Sequence, residues 1–405
     1  MDTPLAAAAR ALSEGDPLRA LKHVALRDDA QAVAMRATAL AQLGEYREAR
    51  ELFKRAAKGF SQNHAIARAR CVVALAEVAL AMRELSVADA GLGRAIEVLE
   101  RHGDAANARY AQLLHARYAL ALGHVGLAQE RLAAIEVPST AHVLRALTEL
   151  TQTEVAVRRM QPAVARKALA AAGQAALRAQ VPTLIAEVRT AKLTLERPVA
   201  RLVDAGNSEP LALDQVAELL QGPQLVIDAC RRCVRRGDLR VSYATRPVLF
   251  ALVRQLAEAS PREVSREALI RAAFGIQRPN DSLRARLRVA VGRVRKQLAE
   301  VASLEATPSG FALLPRQSSL CVLLPPSDDA TSSLLALVSD GEAWSTSALA
   351  LALGASQRSV QRALGALRES GKVESVGHGK NRRWLAQPIH PFATHMLLPL
   401  ASPRS

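Results

Sequence analysis

The side chains of this sequence that are best placed to do chemistry are the cations between positions 281 and 298. The segment reads DSLRARLRVAVGRVRKQL and contains no acid after Asp281. Its basic residues are Arg284, Arg286, Arg288, Arg293, Arg295 and Lys296. A guanidinium group binds a phosphate or a guanine base through two parallel hydrogen bonds. The segment therefore favours binding of a polyanion, and a solvated surface helix is the alternative interpretation.

The same segment has the periodicity of an amphipathic helix. Its apolar residues Leu283, Leu287, Val291, Val294 and Leu298 recur at steps of three or four. This spacing places them on one face of a helix, which can be buried while the cations stay exposed. Exposed helices usually alternate acids with bases. A helix that shows only positive charge outside its apolar stripe is typical of an element that binds nucleic acid.

The charge of the chain is concentrated around this helix. The 405 residues contain 54 Lys and Arg and 38 Asp and Glu, a net charge of +16. Residues 221–315 hold 17 of these cations and eight of these acids, so they carry more than half of the net charge. Aromatic residues make up only 3% of the chain, which disfavours a stacking platform for single-stranded nucleic acid.

The neighbouring segments predict elements that would position the basic helix. Residues 224–244 contain short apolar runs typical of strands. Two helices are expected at 247–259 and 265–274, the second capped by a serine, ended by a glycine and burying Phe274. After the basic helix, residues 304–313 predict two strands joined by a Pro-Ser-Gly turn.

This order of elements resembles the DNA-binding domain of the OmpR/PhoB family of response regulators over residues 223–315. The matching segments are LVIDACRRCVRRGDLRVSYA for the leading strands, VSREALIRAAFG for the positioning helix, RVAVGRVRKQL for the recognition helix and EATPSGFALL for the wing. The resemblance implies a winged helix whose recognition helix enters the major groove. By position it implies that Arg286, Arg288 and Arg293 face the groove. Arg295 and Lys296 would lie toward phosphates, and Arg284 and the wing residue Ser309 complete the expected DNA-binding set.

Two features qualify this resemblance. The loop IQRPND before the recognition helix is of a kind that contacts RNA polymerase in some members of the family, so the polymerase is a candidate partner. No receiver domain or phosphoacceptor segment precedes the winged helix, so the resemblance does not imply control by phosphorylation. A winged helix turned to protein contact is the alternative, against which the local positive charge argues.

The first 200 residues predict a different architecture. They are rich in Ala and Leu and contain a repeat, clearest in ALAQLGEYREARELFKRAAK at 39–58, with Gly44 at a turn between two helices. This unit resembles a tetratricopeptide repeat, and weaker copies begin at positions 15, 84, 121 and 160. In these units an alanine recurs at a spacing near 40 residues in all but the first step. Stacked hairpins would form an α-solenoid that binds a protein partner or a second copy, or whose groove is filled by its own chain.

Residues 330–387 contain a second pattern of short helix, glycine turn, longer helix and basic hairpin. It resembles the winged helix-turn-helix of small bacterial repressors of the DeoR or MarR type. The DNA-binding residues that the resemblance implies are Gln357, Arg358, Gln361, Arg362, Lys380, Arg382 and Arg383. The modest positive charge of this segment leaves dimerisation or protein docking as an alternative. The tail 388–405 contains the apolar run MLLPL, which we expect to dock on the folded domains or on a partner.

Other function classes find no support in the sequence. Cys230 and Cys233 form a lone CxxC without a second pair or a nearby histidine, so we expect no metal site. No nucleotide, metal-ligand or nucleophile motif is present, so we expect neither an enzyme nor a cofactor. The N-terminus lacks the basic start of a signal peptide, and no run of 18 apolar residues occurs. We therefore expect a cytoplasmic protein without membrane contact.

The sequence thus predicts a mainly α fold. A tetratricopeptide-like α-solenoid at 1–200 would be followed by winged-helix (α+β) domains at 223–315 and 330–387. The segments 198–210 and 318–333 are interpreted as linkers, the second with a strand-like run at 320–324. The expected function is sequence-specific, double-stranded DNA-binding transcriptional regulation, with the repeats supplying oligomerisation or signal input. The alternative is an adaptor or scaffold whose winged helices serve protein contact or bind nucleic acid without sequence preference.

Overall fold

The computed structural model describes residues 3–61, 63–82, 84, 89–204, 207–275, 280–327, 330–339, 343–377, 379 and 382–386. Helices dominate these residues, which confirms the prediction of a mainly helical chain. The chain divides into two compact units. The first takes in the described residues up to Ala156 and then Val164–Lys192, and the second takes in Val157–Ala163 and the described residues from Leu193 onward.

The described residues of the first unit form helices joined by turns. Its helices, the last three of which extend into the second unit, are α1 (Thr3–Ser13), α2 (Pro17–Val24), α3 (Ala30–Gln42), α4 (Tyr46–Gly59), α5 (Ala65–Ala81), α6 (Asp89–Arg101), α7 (Ala105–Ala121), α8 (Val125–Ala133), α9 (His142–Arg158), α10 (Pro162–Ala179) and α11 (Pro182–Leu195). From α1 to α8 each helix contacts the next. The odd-numbered helices α1, α3, α5 and α7 also contact one another in sequence. This pattern is that of hairpins stacked side by side.

Small residues allow these helices to approach closely. The alanines that recur in the repeated units, Ala20, Ala49, Ala128 and Ala165, have no exposed surface. The corresponding Ala88 lies outside the described residues. Gly44 lies in the turn after α3 with φ +87°, a left-handed backbone conformation that residues with a Cβ rarely adopt. The recurring alanines therefore allow the helices to pack closely. Gly44 allows the tight turn between α3 and α4.

A buried polar cluster lies inside this unit. The Tyr110 hydroxyl donates a hydrogen bond of 2.5 Å to Glu77 Oε1, and both residues are buried. Burial raises the pKa of Glu77 to about 8, against the opposing effects of the Tyr110 hydrogen bond and of Arg117. Glu77 is therefore held mainly as the neutral acid at pH 7, and the helices around it are packed against a protonated carboxyl group.

Replacing Glu77 with glutamine is expected to remove a pH dependence from this unit. The folded pKa of about 8 lies above the ordinary 4.5, so the native state holds the proton more tightly. This stabilisation is complete below pH 4.5 and is lost as the pH rises toward 8, by up to about 1.4 kcal/mol per pH unit. Hydrogen exchange of peptides from α5 and α7 between pH 5 and 8 measures this loss of stability. Glu77→Gln should flatten the slope, whereas Glu48→Gln, at an exposed position, should leave it. Equal slopes in both variants would show that Glu77 is ionised.

The second unit combines sheets and helices. Its elements are β1 (Ala200–Asp204), β2 (Asn207–Leu211), α12 (Leu213–Gln221), β3 (Leu225–Asp228), β4 (Cys233–Arg236), β5 (Leu239–Ser242), α13 (Pro247–Ala259), β6 (Val264–Ser265), α14 (Arg266–Phe274), α15 (Asp281–Leu298), β7 (Ala302–Ala306), β8 (Gly310–Pro315), β9 (Leu320–Leu324), α16 (Ala330–Val338), α17 (Thr346–Leu353), α18 (Gln357–Glu369), β10 (Val373–Val376) and β11 (Arg383–Ala386). Three sheets have the strand orders β2-β1-β9-β3-β4-β5, β6-β8-β7 and β10-β11.

The segments 198–210 and 318–333, which were expected to be linkers, contribute strands to the six-stranded sheet. Strands β1 and β2 form a hairpin in the segment 198–210 and its border, and β9 lies between β1 and β3. Strand β9 is parallel to β3, with Leu225 opposite Leu320. Every residue of β3 is buried, and a strand buried on both faces needs partners at both edges. The sheet thus joins the chain before α13 to the chain after β8.

Helix α15 packs against helices α13 and α14 and against strand β7. All five residues of its predicted apolar stripe are buried, from Leu283 to Leu298, together with Ala290. Phe274, which was expected inside, is only partly buried and lies at the edge of this core. Asn280 caps the helix by accepting a hydrogen bond of 2.9 Å from the Leu283 amide. The burial of this stripe fixes which side chains of α15 face outward.

The β7–β8 hairpin is held against the helices by specific contacts. Arg295 donates hydrogen bonds of 3.0 and 2.8 Å from Nε and Nη2 to the Leu304 carbonyl. Arg266 donates to the carbonyls of Pro308 and Thr307 at 2.8 and 3.1 Å. A Cβ at Gly310 would lie 1.8 Å from the Val264 carbonyl oxygen. The hairpin can therefore approach β6 this closely only because position 310 is glycine.

Gly310→Ala is expected to destabilise this unit by about 2 to 4 kcal/mol, because backbone atoms must move to accept the methyl group. The matched control is Gly292→Ala, in the middle of α15, where a Cβ meets nothing within 4 Å. The control should gain up to about 1 kcal/mol, since alanine favours a helix over glycine. Urea unfolding followed by tryptophan fluorescence checks both, because Trp344 and Trp384 belong to this unit. Equal urea midpoints for Gly310→Ala and Gly292→Ala would contradict the close approach of the hairpin to β6.

Helices α16 to α18 and the β10–β11 hairpin form their own core in the second unit. It contains Leu334, Leu349, Leu364, Val373 and Trp384. The Ser356 hydroxyl caps α18, as the sequence predicted, by accepting from the Ser359 amide at 3.1 Å. Helix α17 also contacts α13. No helix among the described residues is both long and apolar enough to pass through a bilayer.

Candidate nucleic-acid interface

The exposed residues of α15 fall on two flanks of the helix. Since each residue turns an α-helix by about 100°, positions 286, 289, 293 and 296 share one side, and positions 284, 288 and 295 share another. The first side lines a groove of about 850 Å³, whose opposite wall is the start of α13. We call Ser282, Ala285, Arg286, Val289, Arg293 and Lys296 the groove face. We call Arg284, Arg288 and Arg295 the hairpin flank.

The cations predicted to bind DNA are grouped differently in the structure from what was expected. Arg288 was expected beside Arg286 and Arg293, but it lies on the hairpin flank. Arg295 was expected to point toward phosphates with Lys296. Its guanidinium is instead bonded to the Leu304 carbonyl and holds the β7–β8 hairpin. Arg284 forms a salt bridge of 3.4 Å with Asp281 on the exposed surface.

The cations of the groove face are available to a ligand. Arg286, Arg293 and Lys296 are exposed, and none has a carboxylate partner among the described residues. The Arg286 guanidinium carbon lies 4.8 Å from the centroid of the Phe274 ring. A cation–π contact of this kind orients the guanidinium plane but leaves its N–H donors at the edge open. The partly exposed ring of Phe274 thus contacts Arg286 on the groove face.

Two residues of this surface were missed by the sequence interpretation. Val289 is 58% exposed, although it lies on a helix whose other large apolar side chains are buried. It falls outside the spacing of the apolar stripe, so that spacing could have revealed it. Arg246 lines the opposite wall of the groove and precedes the first turn of α13, which no side chain caps in the described structure. The N–H groups and the positive dipole end of that turn attract anions.

The carboxylate of Glu263, which precedes β6, lies beside Ser309 in the turn of the β7–β8 hairpin. The Ser309 hydroxyl is exposed but donates a hydrogen bond to Glu263. Hydrogen bonds from Ser309 and Thr307 hold the pKa of Glu263 below its usual value, so this carboxylate is ionised at neutral pH. A phosphate contact by Ser309, as the resemblance implies, would have to form beside a negative charge.

The helix α18 and its hairpin form a second, more polar groove of about 690 Å³. Of the predicted residues, Gln357, Gln361 and Arg382 line it, together with Arg368, which was not predicted. Arg358 and Arg362 are exposed elsewhere on α18. Arg383 is partly buried and donates to the Arg382 carbonyl at 3.1 Å. Lys380, the tail 388–405 and residues 276–279 of the loop expected to contact RNA polymerase lie outside the described residues.

The cysteines are placed for packing. All four are buried and none forms a disulfide. Burial raises the pKa of Cys230 to about 12 and that of Cys233 to about 11, so neither thiol ionises at neutral pH. The described residues contain no group of His, Cys, Asp and Glu that could hold a metal ion.

Comparisons of the chain with protein-family models, with curated proteins and with solved structures find no match.

Proposed function

We propose that this protein is a sequence-specific, double-stranded DNA-binding regulator of transcription, and that the groove face of α15 contacts base edges in the major groove. The observation that carries this proposal is the placement of Arg286, Arg293 and Lys296, three exposed cations without acidic partners among the described residues, on one side of a helix whose opposite side is buried. The order α13, α14, α15 and β7–β8 hairpin is that of a winged helix, with α15 as its recognition helix.

The dimensions of α15 suit this role. An α-helix with its side chains is about 10 to 12 Å wide, and the major groove of B-DNA is about 12 Å wide. Arg286 and Arg293 are seven residues apart, which is about 10.5 Å along the helix axis. At about 3.4 Å per base pair this spans three steps. Each arginine can therefore contact a different base pair, and guanine is the base that an arginine fork binds through two hydrogen bonds.

Other parts of the second unit would bind the DNA backbone. Lys296 on the groove face and Arg284 and Arg288 on the hairpin flank can reach phosphates on either side of the helix. The open first turn of α13, beside Arg246, adds N–H donors to the same surface. These contacts fix the orientation of the helix without reading sequence. The groove lined by Gln357, Gln361 and Arg382 would be a second DNA contact, from a second winged helix in this unit.

The helical unit would supply oligomerisation or signal input. Its buried recurring alanines and the contacts among α1 to α8 support a tetratricopeptide-like solenoid. Such repeats bind a protein partner or a second copy of the chain. We propose a cytoplasmic location on the basis of the function alone.

An adaptor or scaffold function has one observation in its favour. The floor of the groove beside α15 is apolar, with Pro247, Val248, Phe274 and Val289 among its residues. A protein segment could bury this floor as well as DNA could. The absence of acids from α15 after Asp281 favours DNA, because a protein ligand would not require positive charge on both flanks.

Selection of duplexes from a random library with the full chain tests the proposed function. One sequence motif should be enriched. Arg286→Ala and Arg293→Ala should each weaken binding to the selected duplex by about 1 to 3 kcal/mol and relax the preference at one base pair. The control is Arg284→Ala, which removes a cation of the same helix from the other flank. It should weaken binding to all duplexes to a similar, smaller extent. Enrichment of no motif would contradict the proposal.

A further inference from the structure

We infer that Val289 is a specificity-determining residue that contacts the C5-methyl group of a thymine lying between the base pairs contacted by Arg286 and Arg293. This inference rests on the proposed function. A single exposed apolar residue is ordinary on a protein surface. The position of Val289 and the chemistry of its neighbours make it informative.

Val289 lies in the centre of the groove face. It follows Arg286 by three residues and precedes Arg293 by four, the spacings that bring side chains to the same side of a helix. Its side chain is 58% exposed, whereas Ala290 and Val291, the next two residues, are buried. Ser282 and Ala285 are the other neighbours on this face, and both are small. Val289 is therefore the largest apolar side chain that the groove face can offer to a base edge.

The two arginines give the site its charge complementarity. Neither has an acidic partner among the described residues, and Arg286 is oriented by Phe274. A ligand that satisfies both arginines must be polar or anionic at two points about 10.5 Å apart along the helix axis. It must also offer an apolar group between those points. In the major groove of B-DNA, the only apolar group on a base edge is the methyl group of thymine.

The spacing predicts the register of the contacts. Val289 lies about 4.5 Å from Arg286 and about 6 Å from Arg293 along the axis. With a rise of about 3.4 Å per base pair, the thymine falls at one of the two base pairs inside the window whose ends Arg286 and Arg293 contact. The selected motif should therefore carry a guanine at each end of a window of four base pairs and a thymine at an inner position, on either strand.

Replacement of single thymines by deoxyuridine tests this contact, because deoxyuridine lacks only the methyl group. The full chain is bound to its selected duplex and to versions in which each thymine is replaced in turn. At one inner position the replacement should weaken binding of the wild-type chain about threefold to fivefold, the loss expected for one methyl group. Val289→Ala should bind the thymine and deoxyuridine duplexes equally. The control is Leu351→Ala, also at an exposed apolar position in this unit, which should keep the discrimination.

The outcomes separate the contact from the proposed function. If the wild-type chain enriches a motif but distinguishes no inner thymine from deoxyuridine, or if Val289→Ala keeps the distinction, the role of Val289 is overturned and the proposed function stands. If no motif is enriched, both are overturned. Because Val289 is exposed, its replacement by alanine does not disturb the core, and circular dichroism of the variant should match that of the wild type.

Discussion

The burial of one side of α15 determines what its other sides can contact. Leu287, Val294 and Leu298 have at most 1% of their surface exposed. Together with the rest of the stripe they lock the rotation of the helix about its axis. Six cations are thereby divided between two flanks, and only one flank faces the groove with α13. Without this burial, the same residues would form an undirected positive surface.

Elements that precede and follow α15 in the chain hold the helix in this orientation. The parallel pairing of β9 with β3 joins the segments before and after the helix into one sheet. Arg295 is bonded to the β7–β8 hairpin, and Gly310 lets that hairpin approach β6. One basic residue is thus used for structure while its neighbours stay available. The proposed contacts with bases over several base-pair steps would need such a rigid support, because small errors in helix position would misplace each contact.

Local features of this fold could be predicted from the sequence, and non-local ones could not. The apolar stripe from Leu283 to Leu298 and the cap at Ser356 follow from spacing and residue type, and the structure has both. The placement of Arg286 and Arg288 on different sides of α15 could also have been predicted, since each residue turns an α-helix by about 100°. The role of Arg295 was not, because it depends on a carbonyl nine residues away in a strand. The pairing of β9 likewise joins residues about a hundred positions apart, which no periodicity indicates.

The most direct measurement of the central claim is the position of α15 on bound DNA. The four native cysteines are buried, so a cysteine placed at the exposed Ala299, which follows α15 and lies outside the groove face, can be labelled selectively with an iron chelate that cleaves nearby DNA strands. On the selected duplex, cleavage should be confined to a few adjacent nucleotides on each strand that border one major groove. On a scrambled duplex it should be weak and evenly spread. Equal, diffuse cleavage of both duplexes, or cleavage centred on a minor groove, would contradict the placement of α15 in the major groove.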